Sequence, residues 1–180
     1  LIEPVTIEDL VAAGYLAPLS SKHTDTAIDV SGVGKRGGEF IAGQLERAVE
    51  AGDTTARLVD ETLSRASHCR SLLFFCTGVS HAEHMAQELS SRGIAAEVIT
   101  GNTPKGQRAD IIRRFRAGDI RALTNCDVLT TGFDAPDTDC LVMARPTMSP
   151  GLYVQMAGRG MRLKSHTNAC LVLDFAGNVA

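Results

Sequence analysis

Ser71-Leu-Leu-Phe-Phe-Cys-Thr77 sets an unbroken apolar run, Leu72–Cys76, between two small polar residues. A run this short, bounded by turn-forming residues, reads as a strand buried on both faces. A helix follows over 80–91. The alternation then repeats, with a strand over 97–99, a helix over 105–116 and a strand over 121–124. Further strands at 140–144 and 169–175 enclose a helix over 150–157. Short apolar strands alternating with helices are the signature of βαβ units and a parallel sheet, so the chain is expected to be α/β. In such sheets ligands gather at the carboxyl ends of the strands. The loops of interest are therefore Thr77-Gly78, Thr100–Lys105, Cys126–Pro136, Arg145–Ser149 and, ahead of the last strand, Gly158–Lys164.

The first 66 residues have a mixed texture. Thr6 is placed to cap a helix over 7–13, with Asp9 three residues on and Gly14 closing it. Residues 15–30 are expected to hold two short strands. Ser31–Gly38, rich in glycine and basic, reads as a loop. Helical spacing returns over 40–51 and 54–66, with Asp53-Thr54 as the cap between the two.

Composition narrows the function classes. The chain has 180 residues, 44% of them hydrophobic and 22% charged, enough apolar material for one globular domain with an extension. Aromatic residues make up 4% and Trp is absent, which argues against an aromatic platform for stacking bases. Net charge is −3, which does not advertise a nucleic-acid partner, although a local patch is what phosphates feel. Of the 18 basic residues only Lys22, Lys35, Lys105 and Lys164 are lysines; the rest are arginine, the side chain suited to bidentate phosphate contacts. Lys105–Arg121 holds a basic surplus that reads first as a solvated helix face. No apolar run approaches the ~20 residues needed to span a bilayer. No signal peptide is visible. The five cysteines (69, 76, 126, 140 and 170) are odd in number and lack CxxC spacing. They read as buried thiols in a reducing compartment, which the cytoplasm would provide, and not as disulfides or a zinc site. A chain that opens on Leu1 is expected to be a piece of a longer one.

Four stretches carry candidate chemistry. Gly32-Val-Gly34-Lys35 is not a P-loop, because Arg36 stands where the magnesium-binding hydroxyl should be and Asp29 where the first glycine should be. No DExD/H pair is present either, so the chain lacks the parts to bind and hydrolyse a nucleoside triphosphate alone. His81 and His84 lack a third metal ligand and are expected at the surface. No metal site is expected. Gln155-Met-Ala-Gly158-Arg159-Gly160-Met-Arg162 puts two arginines at the end of a helical segment. They either converge on one anion or complement the helix dipole. Asn125–Pro136, a polar loop between buried strands, contains Gly132 and Asp134. It is either a ribose and phosphate site or an N-cap with a tight turn.

In their order these stretches resemble the second RecA-like domain of superfamily 2 helicases of the DEAD/DEAH-box type. Leu72–Thr77 resembles motif IV. Thr100-Gly101, with Gln107-Arg108 and Phe115-Arg-Ala-Gly118, resembles the loop and helix that follow it. Cys126–Asp134 resembles motif V and Gln155–Arg162 motif VI, with both arginines present. The likeness covers about residues 68–178. Gly14–Pro18, Asp29–Val33 with Arg36–Gly38, and Leu173–Asn178 resemble the RadD-like branch, whose members act in DNA repair. Many family members carry Thr where this chain has Cys126.

That resemblance implies a RecA-like three-layer α/β/α domain over 67–180, with 1–66 as interdomain linker and helical extension packing on the core. It implies ATP with Mg²⁺, both held mainly by a first RecA-like domain of the same parent chain. Arg162 would be the arginine finger, Arg159 a second γ-phosphate contact, and Gln155 a contact to γ-phosphate or the attacking water. Asp134 would hold the ribose, with Gly132 letting the loop approach. Thr77, Gly101, Arg108, Cys126 and Thr130 would touch the backbone of a nucleic acid, by resemblance DNA. The isolated domain would be inactive. A restriction-type DNA translocase motor and a non-catalytic RecA-like scaffold stay open as alternatives.

Overall fold

A computed structural model of the chain describes residues 4–127 and 134–178. Six strands form one parallel sheet: β1 (Leu19–Lys22), β4 (Leu72–Phe75), β5 (Ala96–Ile99), β6 (Ala122–Asn125), β7 (Cys140–Met143) and β8 (Cys170–Asp174). Their spatial order is β1-β8-β7-β4-β6-β5. The strand that opened the sequence reading, β4, sits inside the sheet, with Leu72 in register with Ala122 on one side and Cys140 on the other. All its residues are buried, which is why its sequence shows no polar alternation.

Successive side chains of each strand point to opposite faces, and each face has its own core. Leu72, Phe74, Val142 and Leu173 face α2 (Ala42–Val49), α3 (Thr54–Arg65) and α4 (Val79–Ser91) through Leu45, Val49, Leu58, Val59, Met85 and Leu89. Leu73, Phe75, Leu141, Met143 and Val172 face α5 (Lys105–Ala117) and α6 (Pro150–Gly158) through Ile111, Phe115, Met156 and Ala157. The result is the expected three-layer α/β/α domain. No helix of the described residues is long and apolar enough to cross a membrane.

The amino-terminal segment is woven into this frame. Thr6 and Asp9 form a reciprocal capping box on α1 (Ile7–Ala12), as the sequence predicts. Where two strands are expected over 15–30 only β1 forms, and all four of its residues pair with β8, from Cys170 to Leu173. A backbone bond from Ile28 N–H to Phe175 O, 2.9 Å, continues the attachment. Glu61 on α3 then binds the Asp25 and Thr26 N–H groups at 2.7 Å each. Burial by itself would raise the Glu61 carboxyl, but these two donors and the Arg65 guanidinium outweigh it and hold the pKa down to about 2.

Two local expectations are corrected. Ser31–Gly38 is not a plain loop: Lys35–Arg36 (β2) and Glu39–Phe40 (β3) pair as an antiparallel hairpin. Its two turn residues, Gly37 and Gly38, both have positive φ, +61° and +81°, as the tight hairpin turn matching strand twist requires. His81 is not at the surface. It is 1% exposed, because it lies one turn before Met85 and two before Leu89 on the buried stripe of α4.

Candidate functional site

Helix α6 starts at the carboxyl edge, where the Ser149 side chain accepts the Leu152 N–H and Pro150 supplies a preset first turn. It runs back across the sheet face with Met156 and Ala157 buried beneath it. The chain leaves α6 through tight turns, with Gly160 N–H donating to Ala157 O at 3.0 Å and Met161 N–H to Gly158 O at 3.2 Å. Gly160 lies directly on the sheet. A Cβ there would stand 2.6 Å from Cys170 Sγ and 2.9 Å from Leu141 Cδ1. Lys164 closes the segment, its ammonium donating to Gly160 O and Arg162 O at 2.6 Å each. Burial lowers the Lys164 pKa from its ordinary value. Ala17 N–H reaches Met161 O from the amino-terminal side at 2.9 Å. The arginine-bearing turn is thus held by a sheet contact, a lysine clamp and a long-range backbone bond.

These restraints bring the motif VI side chains to Asp134. Arg162 Nη1 lies 2.9 Å from Asp134 Oδ1. Asp134, Gln155, Gly158, Arg159 and Arg162 surround a cavity of about 250 Å³. Most sites for small ligands run from ~300 to 1,000 Å³, so this hollow lies just below the usual range for a complete ligand site. The Arg162 and Asp134 side chains are 57% and 48% exposed, and an ion pair so wet is worth at most ~1 kcal/mol. The pair is therefore a weak restraint on the Arg162 side chain. Gly132, expected beside Asp134, and Thr130 lie outside the described residues. The Arg/Asp cluster departs from the simple carboxyl-edge rule. Gly160 packs against Leu141 and Cys170, at the starts of β7 and β8, so the motif VI turn reaches the opposite half of the sheet.

The other expected contacts do line the carboxyl edge. Thr77 follows β4 and is fastened by His81, whose Nδ1 accepts the Thr77 N–H at 3.2 Å and lies 3.1 Å from its hydroxyl. An accepting Nδ1 fixes the proton of the neutral ring on Nε2. Burial, with His84 second, pushes the His81 pKa down to about 4, so the ring stays neutral. Gly101 follows β5, exposed, in a turn where Thr100 N–H donates to Thr103 Oγ1 at 2.9 Å. Arg108, in the first turn of α5, lies half-buried with Nη2 3.4 Å from Thr100 O. Cys126 is buried after β6, and its N–H makes a long 3.4 Å bond to Ile99 O. A contact from that N–H must compete with the sheet. Burial, then Asp127, raises the Cys126 thiol to about 11, so it is no thiolate. The other four cysteines are likewise free and buried.

Sequence reasoning missed several supports. Arg145, at the end of β7, pairs with Asp127, whose φ of +57° is the one positive non-glycine value among the described residues. Asn178 Nδ2 donates to Arg145 O at 3.0 Å while its Oδ1 accepts the Thr147 N–H at 2.9 Å. Such partners are distant in sequence. His81 alone had a local signal, its place on the stripe of α4.

Known proteins resemble this chain in sequence and in fold. The profile of the family described as "Helicase conserved C-terminal domain" matches residues 54–164. A putative ATP-dependent helicase of Saccharomyces cerevisiae, IRC3, is 35% identical over 108 residues, 60% of this chain and 16% of that protein. A putative mitochondrial ATP-dependent helicase of Schizosaccharomyces pombe, irc3, is 42% identical over 117 residues, 65% of this chain and 19% of that protein. A 51.5 kDa protein of a Lactococcus phage is 30% identical over 175 residues, 97% of this chain and 38% of its own length. The chain therefore spans well under half of these relatives. Among solved structures, a putative HsdR subunit fragment of a type I restriction enzyme from Vibrio vulnificus superposes with TM-score 0.71 at 22% identity, covering 95% of this chain and 34% of that one. The Escherichia coli DEAD-box protein SrmB gives TM-score 0.56 at 23% identity over 67% of this chain and 69% of its own. Family match, fold and motif order converge: the chain belongs to the helicase conserved C-terminal domain family of superfamily 2.

Proposed function

We propose that this domain is the second motor domain of an ATP-dependent nucleic-acid helicase or translocase, with DNA as the strand it moves along. The observation that carries the reading is the cleft itself. Two arginines, a glutamine and a carboxylate converge on a hollow just below the usual range for a complete ligand site. ATP is the substrate, its base and most of its phosphates seated on a first RecA-like domain of the parent chain. Arg162, freed from Asp134, stabilises charge on the transferring phosphoryl group, with Arg159 as a second phosphate contact. Gln155 orients the γ-phosphate or the attacking water, and Asp134 holds the ribose. No group of three or more acidic, His or Cys side chains among the described residues could hold a metal ion. By the resemblance to superfamily 2 helicases Mg²⁺ is assigned to the first domain, and the isolated domain is expected to hydrolyse no ATP. Thr77, Gly101, Arg108, Cys126 and Thr130 contact the nucleic-acid backbone, which gives sequence-independent, salt-sensitive binding. The DNA preference rests on the resemblance of Gly14–Pro18, Asp29–Val33 with Arg36–Gly38, and Leu173–Asn178 to RadD-like proteins, and the free buried thiols favour a cytoplasmic setting.

The test is ATP hydrolysis by the full-length protein with single-stranded DNA, double-stranded DNA or RNA, beside its Arg162→Ala variant. Stimulation by DNA and a loss of ~10³-fold or more in the variant are expected, the lower range for an arginine finger. A variant that keeps its rate refutes the motor reading. Stimulation by RNA alone refutes the choice of DNA.

A further inference from the structure

The hairpin of β2 and β3 is the one singled-out basic stretch that the motor reading does not use. Its position is fixed. Val33 and Phe40 pack on the sheet face beneath α2. Gly34 N–H donates to Gln44 Oε1 at 2.7 Å, and Ile41 N–H to Gly34 O at 2.9 Å. Glu39 reaches the loop after β7, where it takes the Met148 N–H at 2.9 Å and the Thr147 hydroxyl. Glu46 of the adjoining α2 and Glu50 at its C-cap reach Gly78, in the loop after β4, and Ser80, in the first turn of α4. The hairpin thus stands on the carboxyl edge beside Thr77.

Its charges are left open. Lys35 and Arg36 are both exposed. Among the described residues neither has an ion pair, whereas Arg65, Arg92, Arg113, Arg114, Arg145 and Arg162 all do. Arg36 stands opposite Glu39 in register, but that carboxylate is occupied by Thr147, Met148 and the Phe40 N–H. Lys35 is steadied by the Phe40 ring, its ammonium 5.8 Å from the centroid. Consecutive strand residues point to opposite faces, so the ribbon carries one cation on each side of a tip, Gly37-Gly38, that has no side chains. Cations held on a positioned element, with the one facing carboxylate taken by other donors, are preorganised for anions.

We propose that the Lys35–Phe40 hairpin is a further nucleic-acid contact, its glycine tip meeting the sugar–phosphate backbone and Lys35 and Arg36 each neutralising a phosphate beside the motif IV loop. This rests on the motor reading of the carboxyl edge. The test is equilibrium binding of a fluorescent oligonucleotide by the full-length protein across a salt series, for wild type and the K35Q/R36Q double variant. Gln removes each charge while keeping a polar end on a shorter side chain, and the thermal midpoint serves as the check on folding. Two lost phosphate contacts on a single strand should make the log–log salt slope shallower by about 1.4. Between 50 and 200 mM salt that is roughly a sevenfold smaller loss of affinity than wild type shows. Equal affinity and equal slope in the two proteins overturn the hairpin proposal and leave the motor reading standing. A wild type that binds no oligonucleotide overturns both.

Discussion

Gly158 and Gly160 flank Arg159, and the structure predicts opposite fates for the same substitution at the two. Neither has positive φ, so alanine meets no backbone strain at either site. At Gly158, the last residue of α6, a Cβ would find no atom within 4 Å. Gly158→Ala is expected to be neutral, or to stabilise by up to ~1 kcal/mol from helix propensity. At Gly160 the Cβ would meet Cys170 Sγ at 2.6 Å, Leu141 Cδ1 at 2.9 Å and Cys170 Cβ at 3.1 Å. Both neighbours are fully buried strand residues and have nowhere to swing. Overpacking of this kind costs ~1–3 kcal/mol. At ~2–4 °C per kcal/mol for a domain of this size, Gly160→Ala should lower the thermal midpoint by roughly 2–12 °C. Thermal unfolding of the two single variants measures this directly. Cys170→Ala removes the nearer obstacle, so Gly160→Ala on that background should cost less than the sum of the single changes. A Gly160→Ala protein no less stable than Gly158→Ala would refute the close approach of the arginine-bearing turn to the sheet.

Other perturbations follow from the same contacts. His81→Leu leaves the buried Thr77 N–H without an acceptor and should cost ~1–3 kcal/mol, with weaker oligonucleotide binding; His81→Asn, which restores an acceptor at the Nδ1 position, should recover most of both in melting and binding titrations. His81 is a base whose pKa falls to about 4 on folding, so the unfolded chain binds the extra proton. Stability should therefore decline as pH drops from ~6.5 towards 4, and His81→Asn should flatten that window in denaturant titrations. Glu61, 12% exposed with its pKa held near 2, contributes above ~4.5 and loses that contribution as pH falls towards 2. Glu61→Gln should cost ~1–3 kcal/mol at pH 7 and little at pH 2, read from acid titrations of the melting midpoint. Glu39→Ala frees the Thr147 and Met148 donors and should raise hydrogen exchange over residues 35–40 and 147–148, with residues 72–75 unchanged.

The sheet was legible where strands are buried on both faces. Leu72–Phe75 and Cys140–Met143 are runs that solvent cannot interrupt, and the boundaries read from sequence lie within a residue or two of those found. β1 was not legible in the same way. Leu-Ser-Ser-Lys has three exposed residues of four, and only its long-range pairing with β8 makes it a strand. The hairpin escaped because strands of two residues show no period, although Gly37-Gly38 carried the turn signal. At the site, Asp134, Gln155, Arg159 and Arg162 were readable from the order of the motifs. Arg145 and the Gly160 contact depend on how distant segments meet, and no short window of sequence contains them, whereas the Lys164 clamp is local, two and four residues back, and carries no periodic signal. His81 was misread because the spacing to His84 was weighed as a metal pair, while its spacing to Met85 and Leu89 was the one that decided its place.

The attachment of the amino-terminal segment also sets a path for force. Ala17 N–H is bonded to Met161 O, and Pro18 O accepts the Cys170 N–H at 3.0 Å. These two bonds grip the ends of the stretch 161–170, which carries Arg162 and Lys164. Tension arriving through residues 4–17 reaches them before it reaches the β1–β8 ladder, whose four registered pairs lie further along the chain. A pull from that side is thus felt first at the turn bearing the arginines, and the sheet behind it serves as a stiff anvil.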